Sequence, residues 1–298
     1  MSEPLEFPLI NVNGSIIPAA EGALSFNNRS FLFGDGIFET LRISQMQPLF
    51  LADHFERLWH GADFLGLRMP KNQDELREEI NQFIAANKIV EGRMRITFFR
   101  KEGGYYTPEN DDAAYQISAS LLTTPAFHCN EKGLQIGIHP SLKKPFSQLS
   151  EIKSTSALQY VIAARYGKMK GWDDTILLNA AGNLCETVSS NLFIVLPSKK
   201  LVTPQLSEGL LPGVFRKNLI RCLNEHSIEV SETTLTPDIL LQAEELFTCN
   251  SIKGIQWVMS YGKKRYFAAF TRTLAKKMSE WTQQKHPSIN SALDYPES

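Results

Sequence analysis

The chain has 298 residues, of which 43% are hydrophobic and 21% charged, ordinary globular usage that excludes a disordered, collagen-like or coiled-coil protein. Its 31 basic and 32 acidic residues leave a formal charge of −1, so there is no evident electrostatic footprint for nucleic acid or a membrane surface. At roughly 100–200 residues per domain, the length fits two domains or one large one. The opening MSEPLEFPLI is neither a signal peptide nor a transit peptide, and no run approaches the ~20 apolar residues of a bilayer span. Cys129, Cys185, Cys222 and Cys249 are far apart with no C-x-x-C pair. That spacing indicates neither a zinc site nor a disulfide scaffold and points to a reducing cytoplasm.

In chain order, Ala52–Leu65 carries Phe55, Leu58, Ala62 and Leu65 at helical spacing, behind a candidate Asp53 cap. Asp74–Ala86 repeats the pattern with Leu76, Ile80, Phe83 and Ile84. RMRITFFRKE, between Gly92 and Gly103, alternates Met94, Ile96 and Phe98 as on a half-buried strand, and Ala114–Leu122 reads as another. Residues 123–130 lack a period and read as a linker between a smaller domain, 1–122, and a larger one, 131–298. In the second half, 134–138 is a strand, 143–154 a loop, and Ser154–Met169 a helix with Leu158, Val161 and Ile162 in phase. Thr175–Asn179 and Asn191–Leu196 are strands joined through a Gly182–Asn183 turn. Val214–His226 and Phe270–Gln284 are helices, Glu245–Cys249 and Ile255–Ser260 strands, and 286–298 a loose tail. This mixture predicts two α/β or α+β domains, with a site between them.

The chain lacks H-E-x-x-H, G-x-S-x-G and Walker-type motifs, and its six histidines are scattered, so no metal is expected. Four weaker signals remain. Lys153 ends the irregular loop just before a predicted helix, where a cation is disfavoured and its proton more readily released. It is either a solvated surface charge or a nucleophile. Glu186 leads into an apolar strand, either exposed at its start or held at the edge of a buried site. Gly209–Gly213 (GLLPG) precedes the Val214 helix, either as a plain turn or as an anion-binding helix start. Arg57, in DHFERL, is either a surface charge or a phosphate partner. Together these are the groups that pyridoxal phosphate needs.

The ordered segments FLFGDGIFETLRI (31–43), HFERL (54–58), IKSTSALQYVIAA (152–164), DDTILLNAAGNLCETVSSNLFIV (173–195), LLPGVFR (210–216) and ELFTCNSIKGIQWV (245–258) resemble the class IV aminotransferases, the fold-type IV pyridoxal-phosphate enzymes. The resemblance implies a two-domain α/β (α+β) fold with the cofactor between the domains, the larger domain carrying the Schiff-base lysine, and a homodimer. Carried over residue by residue, it makes Lys153 that lysine and sets Glu186 against the pyridine nitrogen. It puts Arg57, Val214, Phe215, Asn250 and Ser251 around the phosphate.

Departures from the family pattern bear on the reaction. Ser156 and Ala157 stand where many members have Asn-Tyr. Phe38, Tyr105 and Thr107 replace the residues by which D-amino-acid aminotransferases hold their substrates. Thr40 stands where 4-amino-4-deoxychorismate lyases carry a threonine, and is the candidate catalytic hydroxyl for that reaction. The expected function is transfer of an amino group between a small amino acid, branched-chain ones included, and a 2-oxo acid. The alternative is the lyase, releasing pyruvate and 4-aminobenzoate. A non-enzymatic binding module of this fold is the reading from another class, and the presence of both Lys153 and Glu186 weighs against it.

Overall fold

The computed structural model describes residues 6–124 and 126–287, so most of the expected C-terminal tail, from 288 on, lies outside the described residues. The chain gathers into two compact units. Of the described residues, the first holds 6–124, 152–156 and 283–287; the second holds 126–151 and 157–282.

In the first unit the elements are β1 (Leu9–Val12), β2 (Ser15–Pro18), α1 (Arg29–Phe33), β3 (Gly36–Ser44), β4 (Gln47–Pro48), α2 (Leu51–Phe64), α3 (Gln73–Asn87), β5 (Glu91–Arg100) and β6 (Ala113–Leu121). Its six strands form one antiparallel sheet in the order β2-β1-β6-β5-β3-β4. Asn13 and Gly14 turn the β1–β2 hairpin, both at positive φ, the conformation for which Asn-Gly is favoured. β5 alternates as its sequence predicts. Met94, Ile96 and Phe98 join Ile37 and Leu41 of β3 and the apolar faces of α2 and α3 in one core. Arg93, Arg95 and Thr97 take the opposite face.

α3 opens on Asn72 with a complete capping box to Glu75. α2 does not open on Asp53: its N-cap is Phe50, in a left-handed conformation with no side-chain cap. Asp53 sits instead within the first turn, where its charge complements the helix dipole.

The segment around Lys153 departs from its sequence reading. β7 (Leu134–Lys144) runs on through Lys144, where a loop was expected. The following helix, α4 (Leu158–Met169), begins at Leu158, not Ser154. Residues 152–156 lie along β3 instead. Phe38 N donates to Lys153 O at 2.9 Å and Thr155 N to Gly36 O at 2.9 Å. Ser154, Thr155 and Ser156 are weak helix formers whose hydroxyls compete for local backbone groups, which favours this extended course.

The second unit continues with β8 (Asp174–Asn179), β9 (Leu184–Thr187), β10 (Asn191–Leu196), β11 (Lys200–Pro204), α5 (Val214–Glu225), β12 (Val230–Thr233), α6 (Ile239–Gln242), β13 (Glu245–Asn250), β14 (Gly254–Tyr261), β15 (Lys264–Arg265) and α7 (Ala269–Lys285), whose last residues belong to the first unit. Its sheet runs β12-β11-β10-β13-β14-β7-β8-β9, with β15 beside β14. The β7–β8, β7–β14 and β11–β12 pairs are parallel. β10 reads as an unbroken apolar run because it is buried on both faces. Among the described residues, no helix is long and apolar enough to cross a membrane.

α2 reaches β3 through Phe55, Leu58 and Ala62, and this contact positions the polar residues between them. Leu58 is 2% exposed. Leu58→Ala is expected to cost about 2–5 kcal/mol, read as a lower midpoint in urea denaturation. An unchanged curve would show that this core does not hold α2.

Candidate active site

β3 sends successive side chains to opposite faces. Glu39 points to α2 and is 1% exposed. Arg57 donates to both of its oxygens, Nε to Oε1 at 2.7 Å and Nη2 to Oε2 at 2.6 Å. His54, one turn earlier on α2, lies with Nδ1 2.7 Å from Oε2. Burial alone would raise the Glu39 pKa, but the Arg57 guanidinium and His54 hold it down at about 2. His54 itself is pushed below its usual value by burial, against the pull of Glu39. The neutral ring then donates from Nδ1, and its buried Nε2 has no hydrogen-bond partner. Arg57, expected to hold phosphate, is thus fixed in place by a fork on a buried carboxylate.

On the opposite face of β3, Phe38 is a platform for two cations. Lys153 Nζ stands 4.4 Å from its ring centroid and Arg95 Cζ 3.6 Å. Burial and neighbouring Arg93 lower Arg95 to about 10, and its Nε donates to Thr97 Oγ1 at 3.1 Å. Thr40 is paired with Arg95 across β3 and β5, and its hydroxyl makes no hydrogen bond among the described residues. Because α4 starts five residues beyond Lys153, the expected effect of a helix N-terminus on this lysine is absent. Its Nζ instead stands over the aromatic face of Phe38, and its charge also reaches His54.

In the second unit, Glu186 is buried on β9, not exposed at a strand start. Oε1 accepts from the Lys144 ammonium at the end of β7 and from the Tyr160 hydroxyl on α4, the latter at 2.8 Å. Leu211 N donates to Oε2 at 2.9 Å. Burial and the charge of Glu186 push the Tyr160 phenol far above its ordinary value, so it stays a donor. Two residues further along the loop, Gly213 begins α5 with no side-chain cap. The first amides of the helix, from Val214 and Phe215, are therefore open to an anion. A Cβ on Gly213 would lie 2.0 Å from Asn191 Oδ1. Asn191 also donates to Leu211 O at 3.0 Å, so it both ties this loop and requires the glycine.

Asn250 builds the turn after β13. Its Oδ1 accepts from Ile252 N at 3.0 Å and Lys253 N at 2.8 Å, and its Nδ2 donates to Ser190 Oγ at 3.0 Å. Ser251 is half-buried in that turn. The predicted residues thus form separate groups: Thr40, Arg57 and Lys153 around β3, Glu186 with the α5 start, and the Asn250–Ser251 turn. Glu39, His54, Lys144 and Tyr160 were not expected as site residues. The spacing of His54 and Arg57 in HFERL, and a glutamate within the apolar run of β3, were the available signals for the first pair. Lys144 and Tyr160 had none, because only tertiary packing brings them to Glu186.

Each group by itself has chemistry that suits one part of a phosphorylated pyridine: an arginine or a helix start without a side-chain cap for phosphate, a carboxylate for a ring nitrogen, a lysine for an aldehyde. The chain matches the family model for amino-transferase class IV over residues 36–261. It is 27% identical over 260 residues to a probable branched-chain-amino-acid aminotransferase of Thermotoga maritima, covering 87% of this chain and 89% of that protein. To D-alanine aminotransferase of Staphylococcus aureus it is 25% identical over 247 residues, 81% and 85% of the two chains. The fold superposes on the crystal structure of branched-chain aminotransferase from Thermoproteus uzoniensis, solved with norvaline, with a TM-score of 0.85 at 22% identity, covering 95% and 96% of the chains. The chain belongs to the class IV aminotransferases. It is a pyridoxal-phosphate-dependent transaminase of fold type IV, and the lyase alternative is the weaker one.

Glu39 makes the first unit sensitive to acid. Its carboxyl is held below the ordinary value of 4.5, at about 2, so its contribution is full above about pH 4.5 and is lost as the pH falls through about 2. The difference is on the order of 3 kcal/mol. Urea denaturation of the parent should weaken across that window, whereas Glu39→Gln should be less stable at neutral pH and flatter in acid. Parallel curves for the two proteins would remove Glu39 from the account.

Proposed function

We propose that the protein transfers amino groups between a small apolar amino acid, branched-chain ones included, and a 2-oxo acid, with Lys153 as the lysine that carries the cofactor and moves the proton. Bound pyridoxal phosphate would supply the electron sink and the amino-group carrier. The observation that carries the choice of lysine is the state of Lys144, the buried lysine earlier in the chain. The Lys144 ammonium is buried in an ion pair with Glu186, whereas Lys153 Nζ stands against the Phe38 ring. An amine must reach an aldehyde to attack it, and the Lys144 nitrogen is enclosed, at 2% side-chain exposure and in contact with the Glu186 carboxylate.

The other residues have supporting parts in this reading. Arg57, held by Glu39, and the amides of Val214 and Phe215 bind phosphate, with Ser251 presented by Asn250 as a further donor. Glu186 accepts from the pyridine nitrogen. Thr40 lines the face of β3 that carries Phe38. The relatives' names support a small apolar substrate. Exposed Phe26, Phe31 and Leu32 in the first unit, and Leu158, Val161 and Ile162 in the second, support a homodimer. Four free thiols support a cytoplasmic setting.

Lys153→Ala is expected to lose turnover by at least the roughly 10²–10⁴-fold of general acid–base transfer. Borohydride reduction of the parent followed by peptide mapping should find a pyridoxyl group on Lys153. Its appearance on Lys143, Lys144 or Lys168 would overturn the assignment. A panel of L- and D-amino donors with several 2-oxo acids tests the substrate. Release of 4-aminobenzoate and pyruvate from aminodeoxychorismate, without amino transfer to any acid of the panel, would reject this reading. Thr40→Val would then show whether the hydroxyl serves that elimination.

A further inference from the structure

We propose that Lys144 is a positioning residue that keeps a proton on the cofactor's pyridine nitrogen, by anchoring the Glu186 carboxylate as its counter-charge. The inference rests on the assignment of Glu186 to that nitrogen made above. Lys143 and Lys144 are successive residues of β7, and only Lys144 points inward, at 2% exposure. Its ammonium donates to Glu186 Oε1 and lies 5.7 Å from the centroid of the Tyr160 ring. The Tyr160 hydroxyl shares the same oxygen, and Leu211 N takes Oε2. Each carboxylate oxygen offers about two acceptor positions. Oε1 is therefore filled, and one position remains on Oε2 for a ring N–H.

A proton between a pyridine nitrogen and a carboxylate settles on the stronger base. Every donor to the carboxylate favours its charged form, and an ammonium in contact does so most. With Lys144, Tyr160 and Leu211 all donating, a charged, anchored carboxylate would face the ring nitrogen and favour the proton there. Without the ammonium, the same carboxylate is buried with only a phenol and an amide. Burial would then disfavour the charge on Glu186, and its free oxygen position would hold the proton in place of the ring nitrogen. The ring becomes neutral and a poorer electron sink. A purely structural role for Lys144, as counter-charge to a buried carboxylate, predicts lost stability but no change at the ring.

The two roles separate in the holoenzyme loaded with pyridoxal phosphate labelled with nitrogen-15 in the ring. At neutral pH the nitrogen resonance of the parent and of Lys144→Arg is expected at the protonated position, and that of Lys144→Met at the neutral one. The kcat of Lys144→Met should fall on the order of 10²-fold, with KM little changed. Lys144→Gln, which keeps a hydrogen bond without the charge, gives the same readout should the methionine variant fail to fold. A protonated resonance in these neutral variants overturns the proposal, whatever their melting temperatures. Glu186→Gln is the control for the underlying assignment. If it leaves the ring nitrogen protonated, Glu186 does not face that nitrogen and both readings fall. If it deprotonates the ring while the neutral Lys144 variants do not, only the role of Lys144 falls.

Discussion

The hydrogen bonds between residues 152–156 and the start of β3 are the constraint on which the candidate site depends. Two backbone bonds, from Phe38 N to Lys153 O and from Thr155 N to Gly36 O, join segments more than a hundred residues apart. They fix the course of the chain at Lys153 and set its amine against the Phe38 ring. β3 in turn is held by β5 on one side and by the α2 core beneath it. Lys153 is therefore placed by a sheet, which has little freedom to slide because a one-residue slip would turn every side chain to the wrong face.

Two buried carboxylates organise the rest, and each carries a charge into a place where charge is costly. Glu39 meets the problem with an arginine fork and a histidine from one helix, at a spacing set by one helical turn. Glu186 meets it with a lysine, a phenol and an amide drawn from three separate segments. Such arrangements add little net stability compared with apolar packing, but removing one partner strands the others. Both therefore hold geometry: the first fixes Arg57, the second leaves one acceptor position on Glu186.

Much of the fold is legible in the pattern of apolar residues. The periods of α2, α3 and β5 are strong because each buries one face against a single core. The β1–β2 hairpin turns on a plain Asn-Gly signal. The region from 143 to 157 misleads for a physical reason. Lys143 and Lys144 look like solvated charges, yet the second is buried by its partner, and the apolar phase of α4 runs back over Ser154–Ser156, a stretch tied to β3 through Lys153 O and Thr155 N. Period alone does not report a hydrogen bond made to a distant strand.

The sequence by itself determined the family, through a fixed order of short segments, and with it the cofactor class and the candidates Lys153, Arg57 and Glu186. Each of these stands in a local motif, and local motifs survive in one dimension. Tertiary structure alone decided the surroundings that give those residues their chemistry. It set Lys153 on an aromatic face in place of a helix terminus, clamped Arg57 on Glu39, and brought Lys144 and Tyr160 to Glu186. Charge, burial and donor count around a group depend on contacts between segments far apart in the chain, and those contacts exist only once the sheets have formed.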